Sequence, residues 1–170
     1  MMKTTTTVSV SLLLLLHWTN CITAFLPLHP HKTTTTTQIM SSTNNEIKEI
    51  KTDNAPAPVG PYSQAVQVAG TLYCSGQIAL DPTTGDMIND NVQDETRQIF
   101  VNMDAVLKEA GTTKDRIVRC TVFLVDLNDF GLVNEIYAEY FGDVKPSRSC
   151  VQVSALPKGA KVEIDCIAVL

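Results

Sequence analysis

The sequence predicts an α+β domain with a single β-sheet and two helices packed on one of its faces. Two segments, 92–110 and 129–141, carry apolar residues at helical spacing. The rest of residues 46–170 consists of short runs with strand-like character, bounded by glycine and proline. The resulting order, three short strands, a helix, a strand, a helix and two strands, is typical of one sheet covered by helices on one side.

The segment before the first helix is predicted to form short strands and turns. Residues 46–52 alternate weakly and indicate an edge strand, whereas residues 53–62 contain three prolines and a glycine and must form a loop. Strands are predicted at 65–68 and 72–75, joined at 69–71; residues 77–80 either continue the second strand or begin another. Residues 81–86 have proline and glycine at turn positions.

Both helices have recognisable ends. We expect Asn91 to cap the first helix and Gly111 to end it, with Asn128 and Gly142 in the same roles for the second. The apolar stripe of the first helix is Ile99, Met103, Val106, Leu107 and Ala110. That of the second helix is Leu132, Val133, Ile136, Tyr137 and Tyr140.

The last three strands differ in character. Residues 116–125 are nearly all apolar, which predicts a buried strand and favours an oligomer that covers the second face of the sheet. In the run 145–153 a turn leads into a strand on which Arg148 and Cys150 share one face. In the strand 161–170, Val162 and alternate residues share one face, and Glu163 lies on the other.

The N-terminal part of the chain has the composition of a targeting leader. Residues 1–45 contain no acidic residue, and residues 8–16 form an apolar stretch too short to span a bilayer. We therefore expect a signal peptide at 1–24, a Thr/Ser-rich transit-peptide-like segment at 25–45, and one domain at 46–170. The run Thr23-Ala24-Phe25-Leu26-Pro27 resembles the cleavage motif of bipartite leaders of complex plastids, so plastid import is predicted; secretion and mitochondrial import are the alternatives.

Charge and cysteine content narrow the possible partners. Only Lys3 and Lys32 of the 13 basic residues precede Glu46, so the domain has a net charge of about −7 and is not expected to bind nucleic acid or a membrane. Its four cysteines lack a paired CxxC spacing and are expected to be thiols rather than disulfides. No metal site is expected, because the domain contains no histidine.

The absence of histidine also excludes a Ser-His-Asp or Cys-His centre in the domain. Glu163 is then a candidate acid or base, although a single strand glutamate is more often a solvated charge. Tyr62 either shapes a pocket or covers the edge of the core, and Cys150 more often packs inertly than reacts. Arg148, on a half-buried strand face, needs an anionic partner, and its strand alone favours a structural ion pair.

Five motifs, in order, resemble the RidA family (reactive intermediate/imine deaminase A). They are Asn54–Ala65 (NAPAPVGPYSQA), Ser75–Ile78 (SGQI), Val133–Tyr137 (VNEIY), Pro146–Cys150 (PSRSC) and Leu156–Ile164 (LPKGAKVEI). The resemblance implies a chorismate-mutase-like fold, a homotrimer with clefts between subunits, and hydrolysis of 2-imino or enamine acids, such as 2-aminoacrylate and 2-iminobutyrate, to 2-oxo acids and ammonia. It implies no cofactor.

The resemblance also assigns roles to individual residues. Arg148 matches the arginine that holds the substrate carboxylate, and Glu163 the glutamate near the attacking water. The substrate-binding positions it implies are Tyr62, Ser75, Gly76, Asn134 and Cys150. Ser147 and Asp165-Cys166 depart from the usual family residues without touching these positions. A chaperone-like or ligand-binding protein and an RNA-cleaving translation inhibitor remain the alternative functions.

Overall fold

The computed structural model describes residues 45–170. The predicted leader segments, 1–24 and 25–45, and the predicted cut before Phe25 lie outside these residues, apart from residue 45. The strands are β1 (Lys48–Ile50), β2 (Ala65–Val68), β3 (Thr71–Gln77), β4 (Ile117–Leu124), β5 (Ser147–Gln152) and β6 (Val162–Val169). The helices are α1 (Val92–Glu109) and α2 (Phe130–Phe141).

The six strands form one sheet in the order β1-β2-β3-β6-β4-β5. All neighbours are antiparallel except β4 and β5, which are parallel and are connected through α2. The last strand in the chain, β6, therefore lies in the middle of the sheet, between β3 and β4. The predicted fold class, one mixed sheet with two helices, is confirmed.

The core lies between the sheet and its two helices. Alternate residues of β6 are buried against α1, beginning with Val162, and the residues between them, including Glu163, point to the other face. That other face, which we call the open face, carries no helix among residues 45–170. Large apolar side chains on it, such as Tyr73 and Val151, are 45% and 43% exposed.

The helix ends are only partly as predicted. The side chain of Asn91 accepts a hydrogen bond from the Asp94 amide and caps α1, as expected. The prediction that Asn128 caps α2 is wrong: a short 3-10 turn precedes this helix, and Asp126 accepts the Asn128 amide there instead. Leu132, placed on the apolar side of α2 by its spacing, is 41% exposed.

Three cysteines lie side by side in the core. Cys74 on β3 and Cys120 on β4 are each paired in register with Cys166 on β6, and all three are buried. They and the half-buried Cys150 are free thiols in the structure. Burial raises the pKa of Cys120 to about 11, which keeps this thiol protonated at neutral pH.

None of the helices formed by residues 45–170 has the length and apolar character needed to cross a bilayer.

Candidate functional site

Six of the seven predicted site residues line two separate cavities; the seventh, Cys150, lines neither. The first, the Glu163 cavity, has a volume of about 350 Å³. It is lined by Val59, Tyr62, Ser75, Gly76, Ile78, Leu80, Pro157 and Glu163. The second, the Arg148 cavity, has a volume of about 530 Å³. It is lined by Asn134, Tyr137, Ala138, Gly142, Val144, Lys145, Pro146 and Arg148.

The strand register explains why Arg148 and Glu163 are apart. Arg148 on β5 is paired with Cys120, whose side chain is buried on the helix side of the sheet. Glu163 on β6 is paired with Phe123, three residues further along β4 and therefore on the open face. The two side chains project from opposite faces of the sheet, so a single chain does not bring them to one small ligand.

Glu163 is held tightly against Gly76 of β3. A Cβ atom at Gly76 would lie 1.9 Å from Glu163 Oε1 and 2.8 Å from its Cδ. The contact lies at an irregularity in the register between Cys74 and Gln77, where β3 bulges away from β6. Glycine is needed here because the carboxylate occupies the volume of a side chain.

The environment of Glu163 favours its protonated form. Partial burial raises the pKa of Glu163, and the nearby Asp165 raises it further. Asp165 itself accepts a hydrogen bond from the Thr121 amide, at 3.1 Å. A carboxyl group with a raised pKa exchanges a proton near neutral pH more readily than an ordinary surface glutamate does.

A buried glutamine, Gln64, holds the proline-rich loop that forms one wall of the Glu163 cavity. Its amide nitrogen donates to the carbonyls of Thr52, Ala55 and Pro56, and its oxygen accepts from the Thr52 amide at 2.7 Å. Sequence reasoning missed this role. The signal was present, since a loop with three prolines has few amide donors and its carbonyls need another partner.

Tyr62 and Ser75 are fixed by bonds to the same loop. The Ser75 hydroxyl donates to the carbonyl of Ser63 at 2.6 Å, and the phenol oxygen of Tyr62 accepts from the Val59 amide at 3.3 Å. Tyr62 remains 48% exposed, at the mouth of the cavity. Four of the predicted residues, Tyr62, Ser75, Gly76 and Glu163, thus line one cavity.

Arg148 is held without a carboxylate. Its guanidinium donates to the side-chain oxygen of Asn134 at 2.7 Å and lies 4.5 Å from the ring centre of Tyr137 and 5.6 Å from that of Phe130. The two ion pairs found among residues 45–170 are Arg97–Asp94 and Lys161–Glu95. The structural ion pair favoured by the strand alone is therefore wrong, and Arg148 keeps its charge available for a ligand.

Cys150 lies two residues beyond Arg148 on the same face of β5. It is partly buried against the core and is not among the residues that line the Arg148 cavity. Burial raises the pKa of its thiol, and the charge of Arg148 opposes this effect. A protonated, packed thiol is a poor nucleophile.

Together the two cavities offer an anchor for an anion and a group for proton transfer. Arg148 can bind a carboxylate through two parallel hydrogen bonds, and Glu163 can accept or donate a proton. Within residues 45–170, no three His, Cys, Asp or Glu side chains are grouped so that they could hold a metal ion.

Comparison with known proteins agrees with the motifs. A family model described as Endoribonuclease L-PSP matches residues 52–170. The mouse protein named 2-iminobutanoate/2-iminopropanoate deaminase is 51% identical over 122 residues, which are 72% of this chain and 90% of the mouse protein.

Solved structures give the same result. A Rid-family protein from Yersinia pestis is 52% identical and has a TM-score of 0.72. The alignment covers 74% of this chain and 100% of the Yersinia chain. E. coli TdcF with bound serine is 43% identical and has a TM-score of 0.69. The alignment covers 72% of this chain and 98% of the TdcF chain. The family model spans five of the six strands, β2 to β6, and both helices. The chain belongs to the RutC/RidA family.

Proposed function

We propose that this protein hydrolyses reactive 2-imino and enamine acids, such as 2-iminobutyrate and 2-aminoacrylate, to 2-oxo acids and ammonia. The observation that carries the proposal is the state of Arg148, a guanidinium fixed by Asn134 and two aromatic rings and free of any ion pair among residues 45–170. A partly buried cation without a counter-ion is a site for a carboxylate ligand. The name of the mouse relative supports the same chemistry.

The reaction needs two contributions from the protein, binding of the substrate carboxylate and proton transfer. An enamine first becomes the imine, as its β-carbon gains a proton and its nitrogen loses one. Water then adds to the C=N carbon, the nitrogen takes up a proton, and ammonia leaves as the carbonyl forms. Arg148 binds the carboxylate and orients the imine. Glu163 takes the proton from the attacking water and returns it to the departing nitrogen, a role that suits its raised pKa and that typically contributes about 10²- to 10⁴-fold.

We further propose that the working form is a homotrimer in which the Glu163 cavity of one subunit meets the Arg148 cavity of the next. Two features support it. The two groups face opposite sides of the sheet within one chain, and the open face presents partly exposed apolar side chains that a neighbouring subunit would bury. In this arrangement Tyr62, Ser75, Gly76 and Glu163 and the partner's Asn134 and Arg148 would surround one substrate, with the partner's Cys150 beside Arg148 on the same strand face.

The ligand of a relative fits this arrangement. The TdcF structure contains bound serine. In serine, as in a 2-imino acid, the nitrogen is attached to the carbon that bears the carboxylate. By contrast, the family description and some neighbours' titles name an endoribonuclease. No feature of the described residues favours RNA cleavage over imine hydrolysis. The acidic net charge opposes RNA binding, and the domain has no histidine for acid–base cleavage.

Arg148 provides the test. The purified domain is added to an amino-acid oxidase or dehydratase that releases the imine, and the rate of 2-oxo acid formation is measured. We expect Arg148→Ala to lower the rate by about 10²-fold or more, and Arg148→Lys to restore little, because lysine lacks the planar two-point fork. Arg97→Ala, which removes an exposed ion pair on α1, is the control and should have no effect.

Two outcomes would contradict the proposal. If the wild-type domain showed no imine hydrolysis, this result would favour a ligand-binding or chaperone-like role. A folded Arg148→Ala variant with full activity would show that the carboxylate is bound elsewhere.

We also propose that residues 1–45 direct the chain into a complex plastid, as a signal peptide followed by a transit peptide. The acid-free composition and the short apolar stretch support this destination.

A further inference from the structure

Helix α1 carries two polar side chains, Glu95 and Asn102, that are fully buried and hydrogen-bonded to backbone outside the helix. They are seven residues apart, so they lie on one face of α1, separated by about 10 Å along its axis. Neither lines the Glu163 cavity. Each is bonded to a segment that does.

Glu95 holds the beginning of β6. Its carboxylate accepts the Lys161 amide at 2.7 Å and the Val162 amide at 3.4 Å, and the Lys161 ammonium donates to it at 3.0 Å. A buried carboxylate is tolerated because its charge is paired and its oxygens are bonded. The next residue along the strand is Glu163.

Asn102 holds a second wall of the Glu163 cavity. Its amide nitrogen donates to the carbonyl of Leu80 at 2.9 Å and, more weakly, to that of Ile78 at 3.4 Å. Its oxygen accepts from the Gln98 side chain at 2.9 Å. Ile78 and Leu80 both line the cavity.

The bonds made by Glu95 and Asn102 matter because there is little free volume around the Glu163 carboxylate. The Glu163 carboxylate fills the volume above Gly76, so a shift of the β6 start relative to β3 either drives it into the backbone or releases it. Displacements of about 1 Å in a catalytic group can cost about 10²-fold in rate. One rigid helix fixes both walls at once.

We propose that Glu95 and Asn102 are positioning residues, which set the location of Glu163 by attaching both walls of its cavity to α1. The inference rests on the proposed function. Glu95→Gln keeps the size of the side chain but replaces one acceptor oxygen by an NH₂ donor. This NH₂ would face either the ammonium or the backbone amide of Lys161, which are donors themselves. Asn102→Leu keeps the size and removes the donor to both carbonyls.

Activity is measured at a temperature well below the unfolding midpoint of every variant. We expect each variant to lower kcat by about 10-fold or more, with a smaller effect on KM, because Arg148 still binds the carboxylate. Val106→Ala, which removes two methyl groups from the core on the same helix, is the matched control. It should lose stability and keep kcat.

A second measurement does not depend on the enzyme's activity. The carboxyl of Glu163 is titrated by ¹³C NMR and assigned with Glu163→Gln; Asp165 is its acidic neighbour in all variants. We expect the pKa of Glu163 to fall toward that of an ordinary glutamate in Glu95→Gln and Asn102→Leu, since a loosened wall admits water, and to stay unchanged in Val106→Ala. If Asn102→Leu does not fold, Asn102→Ser takes its place.

The outcomes separate the two hypotheses. Variants that lose only stability, with kcat and titration equal to those of Val106→Ala, would overturn the positioning role and leave the proposed function intact. An inactive wild type would overturn the proposed function, while the titration would still decide whether α1 sets the environment of Glu163.

Discussion

Replacement of Gly76 by alanine tests the catalytic role of Glu163 without altering that residue. The added Cβ would lie 1.9 Å from Glu163 Oε1, whereas ordinary contacts begin near 3.4 Å. The carboxylate must therefore move by about 1.5 Å. Because the backbone of Gly76 does not need a positive φ, alanine adds this steric contact and no backbone strain.

The expected effect on rate is large, and the effect on stability is small. A displacement of more than 1 Å in the proton-transferring group predicts a loss of about 10²-fold in kcat, or about 2.7 kcal/mol of transition-state stabilisation. The unfolding free energy should change by less than about 1 kcal/mol, because the contact involves the mobile end of a side chain.

The assay is the coupled formation of 2-oxo acid, with a thermal melt of each variant. Gly131→Ala, in α2, is the control, since an added Cβ there meets nothing within 4 Å. The double variant Gly76→Ala with Glu163→Ala should be no slower than Glu163→Ala alone, because both changes act on one group. A folded Gly76→Ala enzyme with wild-type kcat would refute the assignment of Glu163.

Further predictions concern pH, assembly, targeting and redox state. Since the pKa of Glu163 is raised in the folded protein, its stabilising contribution is present at low pH and is lost as pH rises through that pKa; in urea titrations Glu163→Gln should gain stability relative to wild type above about pH 4.5. Light scattering of the domain at micromolar concentration should give the mass of a trimer, and a monomer mass would refute the shared site. A fluorescent fusion of residues 1–45 should enter complex plastids, whereas secretion of the fusion would reject that destination; replacing Phe25 by a small polar residue should divert it to the secretory route. Intact mass should be the same with and without reductant, and a loss of stability on reduction would indicate disulfides.

Local sequence patterns predicted the elements well, because each depends on neighbouring residues. Asn91 caps α1 as expected, and the period-two pattern put Arg148 and Glu163 on the correct faces of their own strands. The Asn128 cap was wrong because Asp126, two residues earlier, caps a 3-10 turn that contains Asn128.

The relation between strands could not be predicted in the same way. No local pattern indicates that β6 lies between β3 and β4, nor the register in which β5 and β6 pair with β4. That register decides that Arg148 and Glu163 face opposite sides of the sheet. The buried bonds of Gln64 and Glu95 were missed for a similar reason. They join side chains to backbone 8 to 12 residues away for Gln64, and 66 and 67 residues away for Glu95.

The central position of β6 has a consequence for the time at which the protein can fold. β3 and β4 are not paired with each other, so without residues 162–169 the sheet consists of two separate pieces, β1-β2-β3 and β4-β5. As the chain leaves the ribosome, both pieces emerge before the strand that joins them. The sheet cannot close until β6 follows, and the long sequence separation of these pairings makes closure slow. A nascent chain of this design stays open until residues 162–169 have left the ribosome, so its two sheet pieces are exposed as unpaired edges for that time.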